Sequence, residues 1–257
     1  MKNIWMFWKN PPGQTDPPAY IKLCMETVNK HCNTDFDIHL VTTENVKHFL
    51  PNISPMFFKI AQINNLSNYL RYHLLCEHGG IWLDADLILF QSLKPLLNLL
   101  KGDINLIATA SPTLVYGEPE CGFLLSTQRG GVISKAVDLI EYAINLQPPG
   151  HIFKWGSMGP GIIRQAVKGK RYHHLDCRFL SPIPSWEAFR FEGKEKIKNI
   201  CIENAFGVML FNEMFRQANS PVLRMNREQL LTSPTLLGQI FRQAINGQQE
   251  GYSKNEG

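Results

Sequence analysis

The sequence predicts an α/β fold, a mostly parallel sheet flanked by helices, and three observations lead there. From the N-terminus to about residue 144, apolar or alternating runs of strand length take turns with segments of helical period. Apolar residues make up 44% and charged residues 19% of the 257, an ordinary balance with enough apolar material for a core. No run approaches the ~20 apolar residues that a membrane-spanning helix needs.

The elements follow in order. Ile4–Trp8 is a short buried strand ended by Asn10-Pro11-Pro12-Gly13, and Pro18–His31 places Ile21, Met25 and Val28 at helical spacing. Residues 36–42 (FDIHLVT) alternate as a second strand, and TTENVKHFL is a capped turn into a short helix ending at Pro51. Lys59–His78 is the clearest helix, with Ile60, Ile63, Leu66, Leu70 and Leu74 as its apolar stripe and Gly79 as its C-terminal cap. Ile81–Phe90 reads as a strand, then 105–110 and 122–126, then a helix over Val132–Ile144. After Pro148-Pro149-Gly150 the pattern loosens: a Gly-rich loop enters a helix within 155–167, and short strands are expected near 177–181 and 199–202. Ser233-Pro234 opens a last amphipathic helix carrying Leu236, Leu237, Ile240, Phe241, Ala244 and Ile245. One domain over 1–246 and a flexible tail over 247–257 are expected.

The formal charge of +4 is too mild to indicate nucleic acid, and it is uneven. Residues 1–128 carry 9 Lys/Arg against 11 Asp/Glu, and residues 129–257 carry 17 against 11. The basic half suits an anionic ligand, a membrane surface, or simply a solvated face. The six cysteines include no C-x-x-C pair, and the N-terminal apolar run is short for a signal core. The expectation is a cytoplasmic protein with reduced thiols, with contact at the inner face of a membrane left open.

Within GGIWLDADLILF (79–90), Asp84 and Asp86 interrupt one of the most apolar runs of the chain. A buried carboxylate is costly unless it is paired or bound to a cation. If the strand continues through them, both side chains share a face; if it stops at Leu83, both sit at its carboxyl edge, where open α/β sheets bind ligands. Either way they can address one hard divalent cation and the phosphates it carries. The same spacing at Asp35–Asp37 lies in a polar segment and reads as a solvated turn. In the preceding helix Asn64, Asn68 and Arg71 fall on a face distinct from the apolar stripe, and a guanidinium among Leu70, Tyr72 and Leu74 is suited to pair with Asp84 or to stabilise phosphate.

The block INNLSNYLRYHLLCEHGGIWLDADLILFQSL (63–93) strongly resembles the signature of D-x-D glycosyltransferases of the capsular-polysaccharide-synthesis and sugar-binding-region type. IWMFWKN resembles the first strand of that family, GSMGPGII its Gly-Pro loop, and GVMLFNEMFR (207–216) its late metal-side segment. The resemblance implies a GT-A, Rossmann-like nucleotide-sugar-binding fold, a UDP-sugar donor, Mn²⁺ or Mg²⁺, and transfer with retention to a saccharide or lipid-linked glycan acceptor. By the same resemblance Asp86 is the metal ligand, and Asp84 the carboxylate near ribose, sugar and metal-bound water. Arg71 is the arginine beside sugar and pyrophosphate, Trp8 the base-stacking aromatic, and Asn212 a late metal or phosphate contact. Asn45, Asn68, Gly80, Gly159 and Pro160 complete the donor-site candidates.

Three positions depart from the family pattern: Asn68 stands where Asp is usual, Met209 where His is common, and Glu120-Cys121-Gly122 where an amide residue is frequent. These departures leave open a silent relative that binds sugar or nucleotide without turnover. A D-x-D phosphotransferase is the other alternative, disfavoured because the aspartates come after two expected strands and no Gly-Asp-rich loop follows. His173-His174, beside Lys168, Lys170 and Arg171, reads as an exposed charged segment.

Overall fold

The structure, a computed structural model, describes residues 2–10, 13–111, 118–200, 202 and 204–247. The expected tail beyond Gly247 lies outside the described residues, as do Pro11, Pro12 and Cys201. In chain order the strands and α-helices are β1 (Asn3–Phe7), α1 (Ala19–Cys32), β2 (Asp37–Val41), α2 (Val46–Phe49), α3 (Ile63–His78), β3 (Gly80–Leu83), β4 (Leu87–Leu89), β5 (Leu106–Ala110), β6 (Pro119–Ser126), α4 (Gly131–Asn145), α5 (Pro160–Ala166), β7 (His173–Leu175), β8 (Gly207–Met209), α6 (Asn212–Gln217), α7 (Arg227–Thr232) and α8 (Leu236–Asn246).

Six strands form the main sheet in the order β2-β1-β3-β6-β5-β7. The β1–β2, β1–β3 and β5–β7 pairs are parallel, and β6 alone runs against its neighbours β3 and β5. The expected α/β architecture with a mostly parallel sheet is what the chain adopts. Beside that sheet, β4 and β8 pair as a separate antiparallel ribbon. One face of the sheet is covered by α3, α4 and α5, which bury Leu66, Leu70, Ile133, Ile140 and Ile163 against Trp82 and Leu124. On the other, Ile4, Ile81 and Leu125 pack with Val28 of α1 and Leu93 and Leu96. Burial on both faces is why β1 and β3 are continuous apolar runs with no alternation. A third cluster joins α1 to α6, α7, α8 and the ribbon through Tyr20, Ile88, Val208, Phe215 and Phe241.

The α3–β3 junction depends on its two glycines. Gly80 has φ +102°, and a Cβ there would lie 2.4 Å from the Asn3 carbonyl oxygen of the neighbouring strand, so only glycine lets β3 enter beside β1 at this point.

Four expectations are corrected. The apolar run 81–90 is two strands in two sheets: the Asp84 N–H still bonds to the Gly122 carbonyl at 2.9 Å, then the chain turns out of the main sheet and Leu87–Leu89 joins β8. The helix expected from Lys59 begins at Ile63, because Pro55–Lys59 forms a separate 3-10 turn capped by the Ser54 hydroxyl. The strand expected near 177–181 is displaced to His173–Leu175, and Cys177–Phe179 is a 3-10 turn. Near 199–202 a 3-10 turn at Ile197–Asn199 stands in place of a strand. Cys24, Cys32, Cys76, Cys121 and Cys177 are all free thiols.

Candidate functional site

The departure of the chain from the main sheet at Asp84 creates the site. Because β3 is parallel to β1 and β2, its carboxyl edge is also theirs, and Asp84 stands at that edge. β6 runs the other way, so its first residues, Glu120 to Gly122, meet the same edge. Two residues on, Asp86 is carried on the turn that leads into the ribbon.

Asp84 is held by two donors on one oxygen. Its Oδ1 accepts from Arg71 Nη2 at 2.7 Å and from Trp82 Nε1 at 2.9 Å. Arg71 is 3% exposed and Asp84 33%, so the cation is the buried partner and the carboxylate reaches outward. The guanidinium lies over the Trp82 ring, 5.0 Å from its centroid, and Nη1 donates to Asn68 Oδ1 at 3.0 Å. The expected Arg71–Asp84 pair and the neighbouring Asn68 are therefore assembled as one network.

Asp86 is fixed from the far end of the chain. Its Oδ2 accepts from the backbone N–H of Asn212 at 2.7 Å, and its carbonyl oxygen accepts from the Leu210 N–H at 3.0 Å. Phe211, between those two donors, has φ +56°, a left-handed conformation that a non-glycine residue adopts only when its surroundings impose it. Burial, and then the negative charge of Asp84, push the Asp86 carboxyl up to about 6 from its ordinary 3.8. Asn212 Oδ1 is taken by the Tyr20 hydroxyl. Asn212 thus clamps Asp86 with its main chain while its side-chain oxygen holds Tyr20 with one of two lone pairs.

Gly159 and Pro160 stand across from Asn68. A Cβ on Gly159 would lie 2.7 Å from Asn68 Oδ1 and 3.0 Å from Cys121 Sγ, so glycine is what lets this loop close against the network. The Tyr72 hydroxyl donates to the Gly159 carbonyl at 2.7 Å and fixes the loop's height. Met209 and Gly122 line the side of Asp84: a Cβ on Gly122 would be 3.1 Å from both Asp84 Oδ2 and Met209 Cε.

Three candidates sit apart from this network. Trp8 follows β1 and so lies at the same sheet edge, but its indole N–H donates to Asn10 Oδ1 at 2.7 Å and its ring packs partly into the C-terminal core. Both polar groups of Asn45 serve the turn before α2, through the Thr42 N–H at 2.8 Å and the Leu40 carbonyl at 3.0 Å. Gly80 begins β3, at the opposite end of that strand from Asp84, and its role is the backbone crossing described above. Asp35, expected in a solvated turn, pairs with Lys94 at 2.7 Å there.

Residues that sequence reasoning had not placed in the site also belong to it. Trp82 shares a face with Asp84 by strand alternation, which was the available signal. Cys121 lies beside Asn68 and Arg71, and burial pushes its thiol up to about 12 against the opposing pull of Arg71, so it is a neutral wall of the site. Tyr20 had no sequence signal, since its contact is with a residue 192 positions away.

The donor set suits a hard divalent cation. Among the described residues neither Asp84 Oδ2 nor Asp86 Oδ1 receives a protein hydrogen bond. There is, among those residues, no cluster of three or more His, Cys, Asp or Glu that would cage a metal unaided. Two carboxylates with spare oxygens at an open edge match a cation that takes its remaining ligands from water and substrate phosphate.

A mixed α/β sheet of this kind is shared, as a fold, with solved glycosyltransferase structures. Residues 1–116, somewhat under half of the chain, match the family described as capsular polysaccharide synthesis protein. An O-glycosyltransferase, braB, of Annulohypoxylon truncatum is 28% identical over 108 residues, 36% of this chain and 24% of that protein. The initiation-specific alpha-1,6-mannosyltransferase of Saccharomyces cerevisiae is 20% identical over an alignment covering 91% of this chain and 58% of the relative. The chain thus spans about a quarter and somewhat over half of the lengths of these two curated relatives. Among solved structures, the glycosyltransferase GlyE of Streptococcus pneumoniae TIGR4 superposes with a TM-score of 0.50 at 17% identity, covering 82% of this chain and 55% of that one, a likeness of fold.

Proposed function

We propose that this protein is a metal-dependent glycosyltransferase that moves a sugar from a nucleotide-sugar donor, a UDP-sugar, to a polysaccharide or glycoconjugate acceptor with retention of anomeric configuration. The observation that carries the proposal is the pair of carboxylates at the sheet edge, each held through one oxygen among the described residues, with Arg71 buried behind Asp84.

Asp86 and Asp84 would hold Mn²⁺ or Mg²⁺, which when bound supplies Lewis-acid neutralisation of a leaving diphosphate. The protein's own work is positioning. Arg71 and the Trp82 N–H hold Asp84 in place through its Oδ1 and leave Oδ2 to face outward. The Asn212 N–H holds Asp86 in one rotamer, and Tyr20 holds Asn212. Asn68 sits where it can meet a donor hydroxyl, one lone pair already committed to Arg71. Gly159 and Pro160 close the side of the pocket next to it, and Trp8 at the same edge offers a ring to a base. Because retaining transfer can pass the acceptor proton to the departing phosphate, no strong protein base is required.

The test is a panel of UDP-, GDP- and CMP-sugars incubated with the protein with and without Mn²⁺, following nucleotide release, alongside Asp86→Ala. Mn²⁺-dependent release from one donor, absent in the variant, is the expected result. Full turnover by the variant would overturn the proposal. Tight Mn²⁺–nucleotide binding with no release on any acceptor would instead identify a silent binding relative, the outcome that the uncharged Asn68 favours.

A further inference from the structure

On the flank next to the Gly159 loop, apolar side chains stand unburied in a group. Phe58, Ile63, Leu146, Ile152 and Trp155 are all exposed, the last two by 65% and 70%. They come from four segments that the structure ties together. The Phe153 N–H donates to Gln62 Oε1 at 2.7 Å, Gln62 Nε2 donates to the Phe153 carbonyl at 3.2 Å, and the Gly150 N–H donates to the Lys59 carbonyl at 3.2 Å. Ile144, Pro148 and Pro149 from the end of α4 line a shallow hollow together with Met56, Lys59 and Phe153.

The charges on this flank are mostly positive. Lys59 and Lys154 are exposed between the apolar residues, and Lys47 lies over the Phe58 ring, 5.5 Å from its centroid. Residues 45–76 contain no Asp or Glu, and neither do residues 142–175. Of the acids that bound these two segments, Glu141 is engaged by the Tyr69 hydroxyl and by His73 Nε2 at 3.1 Å, and Glu44 is exposed three residues before Lys47. Large apolar groups interspersed with lysines and poor in acids are unusual on a surface that faces only water, and they are the composition that anionic bilayers bind: rings and aliphatic chains enter the headgroup region while lysines meet the phosphates.

We infer that this flank docks on an anionic phospholipid bilayer. Trp155 and Ile152 insert from the loop that ends at Gly159, so docking would place the loop wall of the sheet-edge site at the membrane surface. The inference concerns binding alone and stands whether or not the protein turns over a nucleotide-sugar.

The test is flotation of the full chain with phosphatidylcholine vesicles, with and without phosphatidylglycerol, in the absence of nucleotide and metal. We expect binding to the anionic vesicles at least ~10-fold tighter than to neutral ones, and weaker as salt rises. The double variants Ile152→Ser/Trp155→Ser and Lys59→Glu/Lys154→Glu change only exposed side chains, and each should lower binding by at least ~10-fold with an unchanged Tm. Failure to float with anionic vesicles at low salt, or equal flotation of both variants with the wild type, would overturn the inference. So would concentration-dependent self-association abolished by the same substitutions in a protein that ignores vesicles, since the flank would then be a contact between copies.

Discussion

Replacing Asp86 with asparagine separates what the carboxylate costs the fold from what it does. Asp86 is half-buried, and burial followed by the charge of Asp84 raises it from 3.8 to about 6. Keeping it ionised at neutral pH therefore costs the metal-free fold up to about 3 kcal/mol relative to the unfolded chain. The sign follows from the raised value: the native state binds this proton more tightly than the unfolded state, so the contribution to stability is whole below about pH 4 and is lost as pH rises through about 6. Asp86→Asn removes the charge yet keeps an oxygen for the Asn212 N–H, now 2.7 Å away. In EDTA at slightly alkaline pH the variant should be more stable by about 1–3 kcal/mol, a rise in Tm of roughly 3–10 °C for a chain of this size. Mn²⁺ should raise the Tm of the wild type and leave the variant unmoved. Thermal unfolding followed by circular dichroism across pH 4–8 reads both effects. A variant that melts at or below the wild type in EDTA would refute the reasoning, because Asp86 would then be a stabilising residue and not one held against its preference.

Other expectations follow from the same geometry. The Mn²⁺ concentration for half-saturation, measured by calorimetry, should climb as pH falls below about 6, since the cation competes with the Asp86 proton. Arg71→Met should destabilise by about 2–4 kcal/mol in a urea titration, because it leaves Asp84 beside a buried void with only the Trp82 N–H. Gly159→Ala drives a methyl to 2.7 Å from Asn68 Oδ1 and should cost about 1–3 kcal/mol and weaken nucleotide-sugar binding in a fluorescence titration; wild-type affinity would mean that the loop moves freely. Tyr20→Phe should lower stability by about 1 kcal/mol and weaken Mn²⁺ binding while leaving nucleotide affinity without metal unchanged.

What could be read in the sequence was what local rules control. The helix over Ile63–His78, the glycine junction and the strand after it were legible because period, cap and apolar run coincide there. That Arg71 would be paired or working followed from the cost of an unpaired buried cation, and of the two roles open to it the pairing with Asp84 is present. The division of 81–90 between two sheets was not legible: Leu87–Leu89 continues the same apolar character, and only the partner strand β8 decides which sheet it joins. The same limit explains the runs near 177–181 and 199–202, too short for period to distinguish a strand from a 3-10 turn. Asn212 was expected at the site as a metal or phosphate contact; that its main-chain N–H also clamps Asp86 depends on the left-handed turn at Phe211, which no propensity would assign to phenylalanine. The hydrogen bonds of Asn45 in its turn and the tight backbone crossing at Gly80 are tertiary details that no local rule announces.

The clamp on Asp86 also orders events in time. The two residues of that hydrogen bond are 126 positions apart, and β4 pairs with β8, equally late in the chain. Contacts of such long range must bear the entropy of closing the intervening loop before they contribute anything, so they form late in folding. During synthesis the main sheet can assemble through β7 while Asp86 is still unheld, with its carboxylate turned toward a ribbon that does not yet exist. A chain halted before Asn212 would carry both aspartates, the arginine and most of the core, and still lack a finished site.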